Sequence, residues 1–331
     1  MDRAGRRAAL PSEDEPFEFF RGFSEIFVSV GLVILLSGIG LFLSWFGGIG
    51  VLILVPAITA GIAWWWAGYF TLRRRMNLPS MVLALAYGGG VGQSAAALFV
   101  QAGASPRLVI VGSALVSLAA MALWYRRFRL PFAMFVLGLS GLIALYGMTA
   151  SIDATLGFYD RGFFAGLFDL RTSPSFALSS LVFGIAAFIG GMWFDTKDPY
   201  RMGRHSATAF WLHLLAAPAL VNTVALTLYN IGGTAGMLAT AAALVLIAIL
   251  ALVIDRRSFL TAGIVYVALI LAWVIRDEGG DGFGRFVAIL IILGAFVTAT
   301  GTWWTQLRGS LMRVLPDFPG KNLLPPYAVT R

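Results

Sequence analysis

Two small polar groupings interrupt the apolar runs of this 331-residue chain and could carry chemistry. The first is His213, followed by Pro218, Asn222 and Asn230, in the run 207–230. Imidazole changes charge near neutral pH, so a histidine inside an apolar helix can take up and release a proton. His213 lies about 9 Å below the nearer end of its run at roughly 1.5 Å per residue. Pro218 removes a helix hydrogen bond and leaves the carbonyl of Leu214 without its usual partner. His213 and Asn222 fall on opposite faces of a straight helix, and only a kink at Pro218 brings both to one site. The alternative is a neutral His213 donating a hydrogen bond to a neighbouring helix.

The second grouping is Gln93 and Ser94, which follow Gly88-Gly89-Gly90-Val91-Gly92 in the run 78–102. Gly88 and Gly92 form a small-xxx-small pair that lets another backbone approach closely. An amide at that depth is costly unless bonded. One reading is a close helix crossing with Gln93 bonded across it. The other places the amide and uncoated backbone at the wall of a solute cavity. The substrate-binding candidates are therefore Gln93, Ser94, His213 and Asn222, with Pro56 and Pro218 as helix breaks.

Several chemistries are excluded or weak. With no cysteine, thiolate metal sites, iron–sulfur clusters and disulfides are ruled out. The two histidines, His205 and His213, are about 12 Å apart along one helix, and no third exists for a three-histidine zinc site. Asp277, Glu278 and Asp281 occupy a glycine-rich turn, readable as a solvated loop or a weak cation site. Asp195, Asp198 and Asp255 have basic neighbours and read as local charge pairing. No phosphate loop, nucleophile elbow or catalytic carboxylate pair is present. No catalytic residue, metal or cofactor is expected.

The elements that must position these residues are set by hydropathy. The chain is 59% hydrophobic and only 12% charged, which excludes two soluble domains. About 20 apolar residues cross a hydrocarbon core, and ten runs qualify: 24–46, 50–72, 78–102, 107–125, 131–150, 174–194, 207–230, 235–254, 258–276 and 283–305. The expected fold is all-α, a polytopic transmembrane bundle with residues 1–23 before it, an external loop at 151–173 and a tail at 306–331. Phenylalanines and charges in that loop predict a short interfacial helix or a lid. The segment Phe17–Phe27 is expected along the inner interface, and the proline-containing tail from Met312 is expected to be extended and solvated.

Charge fixes the orientation. Nineteen of the 24 Lys and Arg residues fall in every second gap, on the side of the N-terminus. The positive-inside rule then places both termini in the cytoplasm. The formal net charge of +8 follows this topology, so no nucleic-acid partner is expected; membrane lipids and a small-molecule solute are. Most tryptophans fall near run ends and read as an interfacial belt, while Trp64-Trp65-Trp66 reaches deeper and could line a cavity.

Two repeats compete. Arg74-Arg75-x-x-Leu78-Pro79 recurs 52 residues later as Arg126-Arg127-x-x-Leu130-Pro131, as expected for stacked helical hairpins. Val55-Pro56-Ala57-Ile58-Thr59 against Ala217-Pro218-Ala219-Leu220-Val221 instead suits an inverted repeat of two five-helix halves.

The stretch Ala209-Phe210-Trp211-Leu212-His213-Leu214-Leu215-Ala216-Ala217-Pro218, with Trp193-Phe194-Asp195 and the Arg74–Ser80 start, resembles uncharacterised multi-pass inner-membrane proteins of proteobacteria. That resemblance implies a bacterial inner-membrane location and brings no activity with it. Ten helices with inside termini are also similar in architecture to drug/metabolite transporters. The expected function is transport of a small or lipophilic solute, proton-linked through His213. The alternatives are a non-catalytic membrane scaffold and a membrane enzyme acting on lipid-linked substrates.

Overall fold

Unbroken apolar sequence leaves the helix as the form that satisfies every backbone N–H and C=O within its own segment. The computed structural model describes residues 22–48, 50–149, 163–274 and 282–327, and among these all regular structure is helical. The helices are α1 (Phe23–Ser44), α2 (Val51–Ala67, continuing as a π-helical turn Gly68–Arg73), α3 (Asn77–Gln101), α4 (Pro106–Phe128), α5 (Ala133–Thr149) and α6 (Phe163–Phe168). They continue as α7 (Pro174–Thr196), α8 (Arg204–Tyr229), α9 (Gly233–Ile254), α10 (Ser258–Val274), α11 (Gly282–Thr302) and α12 (Trp304–Val314). Seven are long and apolar enough to cross a membrane: α1, α2 with its π turn, α3, α4, α7, α8 and α9. The chain is thus compatible with a multi-pass membrane protein. Helices α5 and α10 are apolar but shorter, and α11 meets α12 at a 70° bend.

The chain divides into two compact units. One comprises residues 14–150 and 203–212, the other residues 1–13, 151–202 and 213–331. In the first, α2 and α3 cross at Gly90, where a Cβ would lie 2.5 Å from the Pro56 carbonyl oxygen and 3.1 Å from the Ala60 Cβ. Only a residue without a side chain permits that approach. Ser94 Oγ donates to the Ile53 carbonyl at 2.8 Å. Gly88 seats Met121 and Val136, and Ser117 Oγ donates to the Gly88 carbonyl at 3.0 Å. Glu25, buried in the first turn of α1, accepts from the backbone N–H groups of Asn77 and Leu78 at 3.0 and 3.2 Å. A carboxylate there satisfies orphan donors and opposes the helix dipole at the start of α3.

In the second unit α7 presents Gly184 and Gly191 to α8, where added Cβ atoms would meet Leu220 and His213 at 2.8 Å. Helix α12 buries Trp304, Arg308 and Met312, spaced four residues apart on one face.

Four non-glycine residues adopt positive φ: Arg75, Arg129, Arg201 and Asp255. They stand in turns between helices, and each unit holds two of them 54 residues apart, one hairpin length. The spacing differs by two residues from the 52-residue recurrence of the paired arginines. At Asp255 the backbone forms a Schellman cap, with Asp255 N–H donating to Leu252 O at 3.3 Å and Arg256 N–H to Ala251 O at 2.9 Å.

Some expectations need revision. The tail expected at 306–331 starts inside α12, which runs to Val314; beyond it the chain is mostly irregular and at least partly exposed, but it folds back to bury Pro325. Trp124, Trp211 and Trp304 are buried, and so do not join the interfacial belt, whereas Trp45 and Trp65 are largely exposed. Of the external loop, α6 and the turn at Asp169 are described. The glycine-rich turn bearing Asp277, Glu278 and Asp281 lies outside the described residues, as does the N-terminal stretch before Gly22.

Candidate functional site

Two helix ends and the interior of a third helix meet in the second unit at a buried cluster of charges. Asp195 arrives on the last turn of α7, His213 on α8, and Arg256 just after the cap of α9. His213 Nε2 stands 2.9 Å from Asp195 Oδ2. The Nε of Arg256 donates to the same oxygen at 3.2 Å, and its Nη2 donates to Asp195 Oδ1. All three side chains are at most 6% exposed. Two donors from one guanidinium fix the plane of the carboxylate, and the remaining lone pair fixes the imidazole.

A second carboxylate lies next along the chain. Asp255 accepts from Arg201 Nη1 at 3.0 Å and from Trp304 Nε1–H at 2.7 Å, while Arg308 Nε stands 3.8 Å away. Arg201 also donates to the carbonyls of Asp255 and Ile254 at 2.7 and 2.8 Å. Arg308 donates to the Leu252 carbonyl at 3.1 Å and to the carbonyls of Pro325 and Pro326 at 2.6 and 3.2 Å. Guanidiniums thereby satisfy the carbonyls that helix α9 leaves open at its C-terminus, where the dipole favours cations. Burial alone would raise the Asp255 carboxyl, but Arg201, Arg308, the Trp304 N–H and Arg256 hold it below the usual carboxylate range.

The lining around His213 is dry. Phe188 and Phe259 stand edge-on to the ring at 5.6 and 6.0 Å, and Gly191 lies flat against it. An ionised carboxylate only accepts, so Nε2 carries a proton. Nδ1 is buried with no hydrogen-bond partner among the described residues. A second proton there would have no acceptor, and taking it up requires the ring or its surroundings to move.

The other candidate residues lie elsewhere. Asn222 is half-buried, and its backbone carbonyl lies 3.5 Å from the Tyr266 hydroxyl. Helix α8 runs uninterrupted through Pro218, which keeps Asn222 about 13 Å along the axis from His213. Gln93 and Ser94 belong to the first unit, where Gln93 is exposed on α3 and Ser94 is bonded at the crossing. Ser94 also borders an apolar cavity of about 370 Å³ with Tyr87 and Ala57. Pro56 lies at the crossing as well; its carbonyl is the atom nearest Gly90.

Sequence reasoning placed Asp195 and Asp255 in local pairs and so missed the cluster. The contacts span 18 to 61 residues. The available signal was that basic residues recur beside aspartates in two successive turns on the same side. A smaller node holds the opposite end of α8: buried Asp169 accepts from Asn230 Nδ2 at 2.8 Å and from the Thr172 hydroxyl. Although burial opposes it, the Thr172, Asn230 and Arg171 hydrogen bonds keep the Asp169 carboxyl below the usual range.

No protein-family profile, curated protein or solved structure matches the chain. Function is therefore argued from geometry alone.

Proposed function

We propose that the protein is a ten-span bacterial inner-membrane carrier of a small or lipophilic solute, with both termini cytoplasmic and proton coupling through His213. The observation that carries this reading is His213 itself, fully buried in an apolar helix and bonded to an aspartate that an arginine neutralises. Ionisable groups at such depth are costly and belong by default to function. The geometry gives the coupling a physical form. In the closed packing the ring has one bonded nitrogen and one without an acceptor, so a proton on Nδ1 favours an opened state in which α7 and α8 part at Gly191. A ligand or proton shifts a conformational equilibrium only through such a difference between states. The charges facing the ring are Asp195, Arg256 and Arg201.

A second reading, a non-catalytic membrane scaffold, is favoured by the same dryness: Phe188, Phe259 and Gly191 close over a mutually bonded cluster. An enzymatic role for His213 gains a partner in Asp195, yet both are sealed from reactants in this packing.

The test compares metabolite accumulation in cells lacking the protein, cells with wild type and cells with His213→Ala, together with proton flux in inverted vesicles. The carrier reading expects a solute that shifts on deletion and again with His213→Ala, accompanied by altered proton flux. Unchanged profiles in all three refute it and leave the scaffold.

A further inference from the structure

Between α1, the π turn after α2 and the end of α4 lies a cavity of about 830 Å³, within the size range of small-molecule sites. It belongs to the first unit alone. Its walls include Leu32 and Leu35 from α1 and Trp65 and Trp66 from α2, and two arginines line it, Arg73 and Arg127.

The π turn builds this cavity. A regular α-helix would continue past Ala67 without widening; instead Gly68–Arg73 loosens by one residue per turn. Such turns are rare and occur frequently at functional positions. Here the widened segment supplies Gly68, Tyr69, Phe70, Leu72 and Arg73 to the lining. The two arginines are exposed, and neither has a carboxylate partner among the described residues. Arg127 instead rests 5.7 Å from the Phe128 ring. Guanidinium forks match phosphate oxygens in pairs, and a wall of leucine and indole matches an acyl chain.

We infer that this cavity binds one anionic phospholipid, with Arg73 and Arg127 on its phosphate and Leu32, Leu35, Trp65 and Trp66 along its chain. The inference rests on the membrane reading above, with the arginine turns at the inner face, where anionic lipids are drawn to basic residues. It does not depend on transport.

The full-length protein in detergent is offered equimolar phosphatidylglycerol and phosphatidylcholine, and bound lipid is counted by native mass spectrometry. Wild type is expected to carry a single phosphatidylglycerol with roughly tenfold preference. Arg73→Gln/Arg127→Gln should erase the preference, whereas Arg126→Gln/Arg129→Gln, at the same edge but outside the lining, should retain it. Leu35→Glu blocks the chain path without touching either arginine and should also lose the lipid, with monodispersity confirming the fold of each variant. Millimolar inorganic phosphate should leave the adduct in place. Equal binding of the two lipids, equal loss in the control pair, or displacement by phosphate would overturn the site. A retained lipid with unchanged metabolite profiles upholds this site while refuting the carrier, so the two failures are separable.

Discussion

Replacing Arg256 with methionine isolates the energetics of the buried cluster. The guanidinium supplies two of the three side-chain hydrogen bonds that Asp195 accepts, and both groups are almost wholly withdrawn from solvent. Removing one partner leaves an uncompensated carboxylate in a low-dielectric setting, which costs about 3–5 kcal/mol. Asp195→Asn alone strands the arginine and should cost a comparable amount. In the double variant the new amide still accepts the His213 N–H through its carbonyl, and no net charge is left buried. Its cost should therefore fall short of the sum of the singles by about 2 kcal/mol or more. The assay is reversible unfolding in mixed micelles titrated with SDS, followed by tryptophan fluorescence. A loss below about 1 kcal/mol for Arg256→Met, or additivity within about 0.5 kcal/mol, refutes the argument that this pair is both desolvated and coupled.

Three further outcomes follow from the same geometry. Gly191→Ala puts a methyl group 2.8 Å from the His213 ring and should lower stability by about 1–3 kcal/mol in thermal melts. Gly31→Ala, inside α1 with nothing within 4 Å, should instead leave stability unchanged or raise it by up to about 1 kcal/mol. Asp255 has a depressed folded-state pKa, so the unfolded chain binds more protons than the folded one between the two values. Its stabilisation is complete above the unfolded value of about 3.9 and is lost as pH falls through the folded value. Melts of wild type and Asp255→Asn should therefore keep their gap from pH 6 to about 4 and converge only as pH falls below that; a gap that narrows already above about 5 contradicts the pairing. Finally, because the chain has no cysteine, single cysteines at the exposed positions 74 and 126 report topology without background. Both should react with an impermeant maleimide only from the cytoplasmic side, and labelling from opposite sides would break the ten-span arrangement.

The helices were legible because hydropathy is a local property: the apolar runs and the helix bounds differ by only a few residues. The glycine run in α3 was legible as a place of close helix approach, but its pair Gly88 and Gly92 faces Met121, Val136 and Ser117, and the α2 crossing falls on Gly90 between them. Gln93 was not, because one residue on a helix is a rotation of about 100°, enough to turn it from the crossing to the outside. The charge cluster was hidden for a different reason. Asp195, Asp255, Arg201 and Arg256 each have an opposite charge a few residues away, and only the convergence of three helices selects the distant one. The amphipathic α12 was obscured by its prolines downstream, which suggest a free tail while the buried face rests on Trp304, Arg308, Gly309 and Met312.

The grip of Arg308 on the carbonyls of Pro325 and Pro326 bears on how the molecule is assembled. Those two prolines lie 17 and 18 residues after Arg308, so the guanidinium beside Asp255 finds acceptors for its two terminal nitrogens only when that later segment folds back over it. One side chain thus latches an irregular segment onto the helical part of this unit, and chains cut short of residue 325 should present an open cation where the intact segment presents a closed seam.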